Sequence, residues 1–426
     1  MSPRNKKTDD DTTPKLKKVS KRKLKTVLTR DNSEYINGDP KFGIKIDWNL
    51  VKRAYRALNC PPEFFDPSCR PIDICKYLIE ISRRGTGKTT GILLLGMILF
   101  QIYGITTCYI RQNYDMIAEK TVSDMMQTII RCGYIQNITD NKWNYAFLHN
   151  RRWYYCNVDE DGNIVERSNQ HFIFMCDILH AKQLKSGFAD NQCDHIVFDE
   201  FINDDVYYPN EFVKFCDLLC TIIRERRSPI IWMVSNNIDK ESPYFHEMGC
   251  YELVRSMSPG DNEIFTTEKG TKIFLEYFSP EKVNKQSSQS LKEMVSLFFG
   301  FNNPKLGAIT GEDWAITPAP HIPEGKVDFV MRNLYISAHG RLVSLDIVNH
   351  EELGLACYVH WATRVYDDSI ILTTDAITDP RFVYGVGIGR LNKLLIYFQT
   401  TNRFYYAHND VASFMRAYVK NIPNTI

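Results

Sequence analysis

Residues 77–90, YLIEISRRGTGKTT, place an apolar segment directly before a turn that contains two glycines, a lysine and a threonine. Gly85 and Gly87 permit a tight turn, Lys88 supplies a cation, and Thr89 supplies a hydroxyl group that can bind Mg²⁺. Backbone N–H groups at the start of a following helix point towards anionic oxygens. The pattern therefore predicts a phosphate-binding loop in which Lys88 contacts the β- and γ-phosphates of ATP.

The segments on both sides of this turn have the order that such a loop requires. Residues 77–81 read as a buried strand, and GILLLGMILF (residues 91–100) reads as an apolar helix. The usual pattern is G-x-x-x-x-G-K-[ST], whereas this chain has Ser82 at the first position. We expect the two later glycines to preserve the turn. The predicted nucleotide-binding residues of the loop are Ser82, Arg83, Arg84, Gly85, Thr86, Gly87, Lys88, Thr89 and Thr90.

A pair of carboxylates at residues 199 and 200 forms the second candidate site. In HIVFDEF (residues 195–201), an apolar run ends at Asp199 and Glu200. An ATPase with a phosphate-binding loop needs one carboxylate to hold Mg²⁺ and another to orient or deprotonate the attacking water. Taken alone, the run is more typical of a strand that enters a turn. Its position downstream of the loop favours the catalytic interpretation, with Asp199 as the metal-binding residue and Glu200 as the catalytic one.

Three arginines follow at the end of a predicted helix. EFVKFCDLLCTIIRERRS ends in Arg224, Arg226 and Arg227. Basic residues in the last turn of a helix compensate its dipole. An arginine can also act as a finger that enters the ATP site of a neighbouring subunit and stabilises charge on the transferred phosphoryl group. The sequence leaves both interpretations open.

Two further strand ends carry polar residues. IIWMVSNN ends in Ser235 and Asn236, which we predict to sense the γ-phosphate. ITTCYIR ends in Arg111, and ligands bind at this end of the strands in open α/β sheets. Arg111 therefore either faces nucleotide or DNA or forms a surface salt bridge.

Composition limits the class of protein. The chain has 426 residues, of which 44% are hydrophobic and 24% charged, as is ordinary for a soluble globular protein. The formal net charge is +1, but residues 1–30 alone carry about +8, so residues 31–426 sum to about −7. This basic tail either contacts nucleic-acid phosphates or is simply solvated. The twelve cysteines lack zinc-binding spacing, and we expect reduced thiols and no membrane span.

The stretch from residue 195 to residue 237, followed by SPYF, resembles the DNA-packaging ATPases of phi29-like tailed phages, which are related to terminase large subunits. The features that carry this resemblance occur in order: FDP, RGTGKT, VFDEF, YPNE, RER and the SN strand end. The resemblance covers roughly residues 65–245. It implies that Lys88 and Thr89 have the Walker A roles, Asp199 and Glu200 the Walker B roles, and Arg224 the role of a finger acting in the next subunit. Arg84 matches a loop arginine of that group, which we assign to catalysis.

The resemblance also implies an architecture and partners. We predict an α/β protein whose P-loop ATPase domain, of the additional-strand (ASCE) type, has a mostly parallel central sheet. The domain boundaries that we predict are 1–45 for a basic and largely disordered tail, 46–255 for the ATPase domain, 256–325 for a hinge or lid linker, and 326–426 for a smaller α+β, RNase H-like domain. The implied partners are double-stranded viral DNA, a portal or procapsid, a structural packaging RNA and further copies of the chain in a ring, pentameric by resemblance, located in the host cytoplasm and transiently at the procapsid vertex.

The predicted C-terminal domain raises the question of nuclease activity. Two-metal nucleases need several carboxylates around ions about 4 Å apart. The candidates are Asp346 at a strand end, Asp367, Asp368 and Asp375, and each is equally well explained as a turn residue. We predict no nuclease activity. Basic residues of this domain that either bind nucleic-acid phosphates or are solvated include Lys393, Arg403 and Arg416.

The sequence thus predicts an ATP- and Mg²⁺-dependent motor that drives double-stranded DNA into a preformed viral shell. Two other classes remain open at this point. One is a headful-type terminase with a working nuclease, which would cut plasmid DNA. The other is a nucleotide-binding module that acts as an assembly switch rather than as a motor, and that would keep its function in Glu200→Gln.

Overall fold

The computed structural model describes most of the chain from Gly43 onwards. The described residues are 43–62, 64–117, 119–180, 193–202, 211–224, 226, 229–236, 240–279, 319–338, 341–373, 381–384 and 389–420. The basic tail up to residue 42 and residues 280–318 of the predicted linker lie outside these residues.

Helices and strands alternate over residues 48–131, and strands predominate over residues 145–199. The helices are α1 (Trp48–Arg56), α2 (Lys88–Tyr103), α3 (Glu119–Arg131), α4 (Tyr134–Ile138), α5 (Glu211–Ile223), α6 (Pro243–Glu247), α7 (Tyr251–Ser256), α8 (Gly389–Thr400) and α9 (Asn409–Lys420). The strands are β1 (Tyr77–Ser82), β2 (Thr107–Arg111), β3 (Tyr145–His149), β4 (Arg152–Val158), β5 (Ile164–Asp177), β6 (His195–Asp199), β7 (Ile230–Asn236), β8 (Asn262–Thr266), β9 (Lys272–Tyr277), β10 (Val327–Met331), β11 (Leu334–Ala338), β12 (Arg341–His350), β13 (Gly354–Trp361), β14 (Ile370–Thr373), β15 (Phe382–Tyr384) and β16 (Phe404–Tyr406).

The first sheet has nine strands in the order β3-β4-β5-β2-β6-β7-β1-β9-β8. The six central strands, from β5 to β9 in that order, are parallel, and the edge strands pair antiparallel. Strand β7 lies between β1, which leads into the predicted phosphate-binding loop, and β6, which ends at Asp199. This additional strand confirms the predicted α/β class of the ATPase fold.

Helices cover both faces of this sheet. Helices α1 to α4 pack on one face against side chains such as Leu78 and Trp232, and α5 to α7 pack on the other against Ile79 and Phe198. Neighbouring strand residues point to opposite faces, which explains why Leu78 and Ile79 belong to different clusters. Twelve of the sixteen residues of α2 are buried, so this helix lies inside the fold. It thereby holds the loop that precedes it against the sheet.

The ATPase domain extends beyond its predicted end at residue 255, because two later strands belong to this sheet. Strand β9 pairs parallel to β1 along its whole length, and β8 pairs with β9 as a hairpin. Residues 262–277, which we assigned to the hinge or lid, are therefore part of the first sheet. The physical reason is that β9 pairs with the backbone N–H and C=O groups of β1, which would lack partners if residues 262–277 were a linker.

The second sheet has seven strands in the order β15-β14-β11-β12-β13-β16, with β10 also paired to β12. Strands β11, β12 and β13 form an antiparallel meander, and β14 and β15 continue the sheet parallel to β11. Helices α8 and α9 contribute Leu395, Phe398, Val411 and Phe414 to its core. This smaller α+β unit agrees with the predicted RNase H-like class. None of the described helices is long and apolar enough to cross a membrane.

Candidate active site

The loop that joins β1 to α2 has the conformation of a phosphate-binding turn. Gly85 and Gly87 have φ angles of +78° and +75°, which glycine adopts without the steric cost of a side chain. A side chain at position 87 would also meet the ring of Phe64 at 3.2 Å. The turn ends at the first residue of α2, so the free N–H groups of the helix face the loop. Both glycines are therefore required where the sequence placed them.

Ser82 occupies the position where the usual pattern has glycine, and its conformation explains why serine is tolerated. It is the last residue of β1 and has no positive φ angle. Its hydroxyl group donates to the carbonyl oxygen of Arg83 at 2.9 Å and lies 2.8 Å from the hydroxyl group of Thr86. The buried serine thus orders the loop from inside. Of the neighbouring arginines, Arg83 is half-buried and Arg84 is exposed.

The FDP segment supports the loop from behind. The N–H of Phe65 donates to the carbonyl oxygen of Thr86 at 2.9 Å. The carbonyl oxygen of Phe65 lies only 2.5 Å from the point where a Cβ atom at Gly91 would be. Any side chain at position 91 would therefore push this segment away from the first turn of α2. The close approach gives FDP a positional role next to the loop.

Lys88 is buried, and its ammonium group folds back into the loop. It donates to the hydroxyl group of Ser82 and to the carbonyl oxygen of Arg83, the latter at 3.3 Å. Burial lowers the pKa of Lys88 to about 8, although the carboxylates of Asp199, Glu80 and Glu200 partly oppose this shift. A partly dehydrated cation whose bonds within the described part of the chain go to neutral oxygens is well suited to bind an anionic phosphate.

Asp199 joins the two predicted motifs. The hydroxyl group of Thr89 donates to its Oδ2 at 3.1 Å, and that of Tyr109 donates to the same oxygen at 2.6 Å. Thr89 follows β1 and Asp199 ends β6, so the additional strand β7 does not prevent their contact. A hydroxyl group and a carboxylate are hard oxygen ligands, and Mg²⁺ bound to nucleotides takes only one or two protein carboxylates. These residues fit a magnesium ion bound together with ATP.

Arg111, which the sequence left undecided, contacts both predicted catalytic carboxylates. Its guanidinium group lies 3.0 Å from Oδ2 of Asp199 and 2.7 Å from Oε2 of Glu200. Burial alone would lower the pKa of Arg111, but Tyr109, Asp199 and Glu200 raise it above its usual value. Arg111 therefore stays charged, and it forms a buried ion pair inside the site rather than a surface salt bridge.

Glu200 has an unusual backbone conformation. Its φ angle is +54°, in the left-handed region that non-glycine residues rarely adopt. Its N–H donates to the carbonyl oxygen of Val234 at 2.8 Å, which fixes this turn against β7. The side chain is 44% exposed and projects from the edge of the sheet to Arg111. Strained residues of this kind concentrate at functional sites.

The two predicted sensor residues have different surroundings. Asn236 lies beside Ser82 in the parallel pairing of β7 with β1, at the entrance to the loop. The hydroxyl group of Ser235 instead accepts from the N–H of Ile202 and donates to its carbonyl oxygen, both at 3.2 Å. Ser235 is buried and anchors the segment that follows Glu200. Only Asn236 is positioned at the loop itself.

Arg224 and Arg226 lie near the amino ends of the parallel strands, whereas the loop lies at the carboxyl ends. Helix α5 starts near the carboxyl ends of the strands, where Glu211 accepts from Gln112, and it ends before the amino end of β7. Arg226 is bound by Asp194 at 2.6 Å, whereas Arg224 is exposed and has a φ angle of +54°. Within one chain the loop and these arginines therefore remain apart. Arg227 lies outside the described residues.

Sequence reasoning missed Tyr109 and the pair formed by Gln112 and Glu211. Tyr109 is completely enclosed, and burial together with the nearby Asp199 raises its pKa well above the usual value. Gln112 and Tyr244 both donate to the carboxylate of Glu211, at 2.7 and 2.8 Å. The one signal in the sequence concerned Gln112, which is one of the polar residues that follow Ile110 at the end of a predicted strand. Their partners come from strands and helices far away along the chain.

Of the predicted aspartates, those in the described part of the second sheet do not come together. Asp346 lies in the middle of β12 instead of at a strand end, because β12 continues to His350. Its carboxylate contacts Ser344 at 2.9 Å, His360 at 3.4 Å and Arg332 at 3.7 Å. Asp368 accepts from Asn333. Among the described residues, no group of three or more His, Cys, Asp or Glu side chains is placed to hold a metal ion.

The basic candidates of this sheet differ from one another. Arg403 donates to the carbonyl oxygens of Leu353 and Leu355 at 2.7 and 3.0 Å, which gives it a structural role. Lys393 is exposed on α8. Asp375 and the side chain of Arg416 lie outside the described part of the chain.

Comparison with known proteins identifies the fold. No protein-family model and no curated protein matches the sequence. Among solved structures, the phi28 gp11 DNA packaging motor is similar with a TM-score of 0.52 and 15% identity, over 86% of this chain and 100% of that chain. The phi29 genome packaging motor assembly follows with a TM-score of 0.48 and 16% identity, over 83% and 97% of the two chains.

The N-terminal domain of the phi29 DNA packaging ATPase is similar over 50% of this chain and 95% of that domain, with a TM-score of 0.37 and 21% identity. All three identities are low, and the likeness to the phi28 motor, with its TM-score of 0.52, concerns the fold alone. The chain has the fold of a phage DNA packaging motor along most of its length. The predicted resemblance is confirmed at this level.

Proposed function

We propose that this protein is an ATPase that drives double-stranded viral DNA into a preformed procapsid. One observation carries the proposal: Thr89 of the loop contacts Asp199, which Glu200 follows directly, in a chain that has the fold of a packaging motor. The contact between Thr89 and Asp199 is the one that Mg²⁺-dependent P-loop enzymes need. The general activity, ATP hydrolysis, rests on this geometry, and the DNA and the procapsid rest on the likeness in fold.

The residues of the site have separate roles in this proposal. The loop from Ser82 to Thr90 cradles the phosphates, and Lys88 leaves Ser82 to contact the β- and γ-phosphate oxygens. Thr89 and Asp199 hold Mg²⁺, which when bound neutralises charge on the phosphates. Glu200 orients the attacking water and accepts its proton. Arg84 reaches the nucleotide from the exposed side of the loop.

Arg111 determines when Glu200 can act. While Arg111 binds Oε2 of Glu200 at 2.7 Å, the carboxylate is engaged in an ion pair, and that oxygen is not available to hold the attacking water. Hydrolysis therefore requires Glu200 to turn away from Arg111 towards the water. Asn236, at the entrance to the loop, contacts the γ-phosphate, while Ser235 holds the segment behind Glu200 in register.

Arg224 completes the site of another copy. The six residues of β1 span about 20 Å, which is farther than an arginine side chain reaches. An arginine at the amino ends of the strands can therefore contact a bound nucleotide only in a neighbouring subunit. Arg226 is already bound to Asp194, which favours Arg224 as the finger. This arrangement makes hydrolysis depend on a ring, for which the family resemblance implies five subunits and a structural RNA.

Domain roles follow from this proposal. The first sheet, extended to Tyr277, is the ATPase domain, and the second sheet is an RNase H-like domain that does not cut DNA. The protein acts in the host cytoplasm and is recruited to the portal vertex of the procapsid during packaging.

A packaging assay tests the proposal. Protein, procapsids, ATP and double-stranded DNA are combined, and the DNA that resists a nuclease is measured. We expect protection that requires ATP and is absent in Glu200→Gln, since the variant keeps the shape of the side chain but cannot accept a proton. Protection that persists in Glu200→Gln would rule out ATP hydrolysis at this site as the driving reaction.

The ring is tested by mixing two inactive variants. Arg224→Ala retains a complete Walker site, and Glu200→Gln retains its finger, so mixed rings contain some sites with both groups intact. We expect partial recovery of ATP hydrolysis in the mixture, and no recovery when Arg224→Ala is mixed with Arg224→Gln, since no subunit of those rings carries the finger. No recovery in the first mixture, despite proven co-assembly, would contradict a finger that acts in the next subunit.

A further inference from the structure

Arg70, shortly after the FDP segment, is a buried arginine that binds a strand of the first sheet. Its Nε and Nη2 both lie 2.7 Å from Oε2 of Glu276 in β9. Its Nη1 donates to the carbonyl oxygen of Asp66 at 2.9 Å. The side chains of Arg70 and Glu276 are only 11% and 12% exposed. The roles assigned above to residues of the ATP site include neither of them.

The same guanidinium group contacts the segment that supports the phosphate-binding loop. Its central carbon lies 4.4 Å from the ring centroid of Phe65 and 5.1 Å from that of Phe278. The N–H of Phe65 donates to the carbonyl oxygen of Thr86 in the loop at 2.9 Å. Attraction between a cation and an aromatic ring is stronger where water is excluded. Arg70 therefore connects β9 with the loop, and we call Arg70, Glu276 and Phe65 the arginine clamp.

A second glutamate lies beside the ion pair of the clamp. Glu80 of β1 is paired in register with Glu276 of β9 and is completely buried. Neither of its carboxyl oxygens has a hydrogen-bond partner within the described part of the chain. Burial, and then the neighbouring carboxylate of Glu276, raise the pKa of Glu80 well above its usual value. The neutral acid is therefore the favoured form of Glu80, which leaves the charge of Arg70 to Glu276.

The packing around Phe65 favours a positioning role for the clamp over a purely stabilising one. The carbonyl oxygen of Phe65 lies 2.5 Å from the point where a Cβ atom at Gly91 would be. Its ring also contacts the rings of Trp232 and Phe278 edge-on, with centroids 6.2 and 5.4 Å away. Close-packed interiors transmit small displacements. A shift of Phe65 would therefore move Thr86 and the first turn of α2.

The clamp and the catalytic carboxylates approach the loop from different sides. In the strand order, β9 is a direct neighbour of β1, whereas β7 separates β1 from β6, which ends at Asp199. Arg111 lies farther still, at the end of β2. A change in the clamp should therefore affect the binding of phosphates more than the activation of water.

We propose that Arg70 is a positioning residue for ATP binding. Through Glu276 and Phe65 it holds the phosphate-binding loop in the conformation that receives the phosphates. Strand β9 thereby belongs to the nucleotide-binding machinery, because it supplies the anion that fixes Arg70. This inference rests on the proposed function, since it requires nucleotide at the loop.

Nucleotide affinity of the full chain tests the clamp. The variants are Arg70→Met, Glu276→Gln, the double variant and the conservative Arg70→Lys. The matched control is Arg53→Met, which removes an exposed arginine from α1 on the same face of the sheet. Circular dichroism verifies folding. The Kd for a fluorescent, non-hydrolysable ATP analogue with Mg²⁺ and kcat at saturating ATP are measured for each protein.

We expect Arg70→Met and Glu276→Gln each to raise the Kd about tenfold, the order expected when a buried charge-assisted contact is lost. The double variant should also raise it about tenfold, since the two residues act as one unit. Saturating ATP should restore kcat to within about threefold of the wild type. Arg70→Lys, which keeps the charge but not the fork, should fall between the wild type and Arg70→Met. Arg53→Met should match the wild type.

Three results of this experiment would overturn the proposal. One is an unchanged Kd in folded Arg70→Met, and another is a loss of affinity in the double variant equal to the product of the single losses. The third is a fall in kcat with an unchanged Kd. If Arg70→Met does not fold, Arg70→Lys and Glu276→Gln decide the question by the same criteria.

Hydrogen exchange without nucleotide tests the clamp apart from ATP chemistry. The amide of Phe65, which donates to Thr86, and that of Gly91, which donates to Gly87, should exchange several-fold faster in Arg70→Met than in Arg53→Met. Amides of β2 and β6 should be unchanged. Equal protection of Phe65 would overturn the proposal, and so would faster exchange throughout the sheet, which a merely stabilising pair predicts. Failure of the wild type to bind the analogue would contradict the proposed function instead, and exchange would still decide whether Arg70 positions the loop.

Discussion

Asp199 in the first sheet and Asp346 in the second are both buried, with exposures of 7% and 4%, but their partners differ. Oδ2 of Asp199 accepts from Thr89 and Tyr109 and contacts Arg111, and Glu200 follows it directly. Asp346 contacts Ser344 from its own strand, His360 from β13, and Arg332 from the connection between β10 and β11. The first aspartate gathers the ends of three parallel strands, whereas the second is enclosed within one antiparallel meander.

The difference shows that strand topology decides what a buried carboxylate can do. Parallel strands deliver their carboxyl ends to one edge, where a loop and a second carboxylate can meet a ligand. A residue in the middle of an antiparallel strand meets mainly residues of its own strand and of the strands and connections beside it. Asp199 therefore belongs to a site that is open to ATP, and Asp346 belongs to a local polar network.

The largest expected difference concerns catalysis. Glu200→Gln removes the group that takes the proton from water, and we expect kcat for ATP hydrolysis to fall by about 10²–10⁴-fold. Asp346→Asn should leave kcat within about twofold of the wild type. Steady-state phosphate release measures both. A large fall in Asp346→Asn with an intact fold would break the comparison.

Replacing Arg111 should lower the free energy of unfolding more than replacing Arg332. Arg111→Met leaves Asp199 buried without its cation, and we expect the free energy of unfolding to fall by about 3 kcal/mol. Arg332 is 52% exposed and lies 3.7 Å from Asp346, so Arg332→Met should cost less than about 1 kcal/mol. Urea denaturation at pH 7 gives both values. Equal losses would mean that the Arg111 pair is no more buried in solution than that of Arg332.

Affinity for ATP should depend on pH through Lys88. Its pKa is about 8 in the free protein, and bound phosphates raise it, so binding takes up a proton above pH 8. We expect the Kd for a non-hydrolysable ATP analogue to rise by about tenfold per pH unit between about pH 8 and 9.5. Calorimetric titration measures this rise. A flat profile in the wild type would show that Lys88 stays protonated throughout.

The smallest expected effect is on DNA cleavage. Asp346 contacts Ser344, His360 and Arg332, and Asp367 and Asp368 do not join it, so we expect plasmid DNA with Mn²⁺ to remain uncut. Gel electrophoresis after long incubation checks this expectation. Cleavage that disappears in Asp346→Ala would instead identify a nuclease of the headful terminase type.

The sequence predicted the first site largely because its signals are local. The loop, the run before Asp199 and the strand that ends at Asn236 each lie within a few consecutive residues. The position of Ser82 was also interpretable, since the two glycines with positive φ follow it. Local patterns therefore located both ends of the contact between Thr89 and Asp199.

The remaining features depend on contacts that no short pattern contains. Tyr109 reaches Asp199 only because β2 pairs with β6, and β9 joins the first sheet only because it pairs with β1. Residues 262–277 were assigned to a hinge or lid because nothing in that stretch names the strand with which it pairs. Asp346 was misplaced at a strand end because the pairing of β12 with β10 and β13 extends that strand.

The most direct test of the account is steady-state ATP hydrolysis with and without double-stranded DNA, with Asp199→Asn as the inactive control. The account predicts that DNA stimulates hydrolysis by the wild type and that Asp199→Asn hydrolyses little ATP in either condition. Hydrolysis that DNA leaves unchanged, both for the free protein and in the presence of procapsids, would contradict a DNA-coupled motor. Hydrolysis by Asp199→Asn at the wild-type rate would contradict the assigned site.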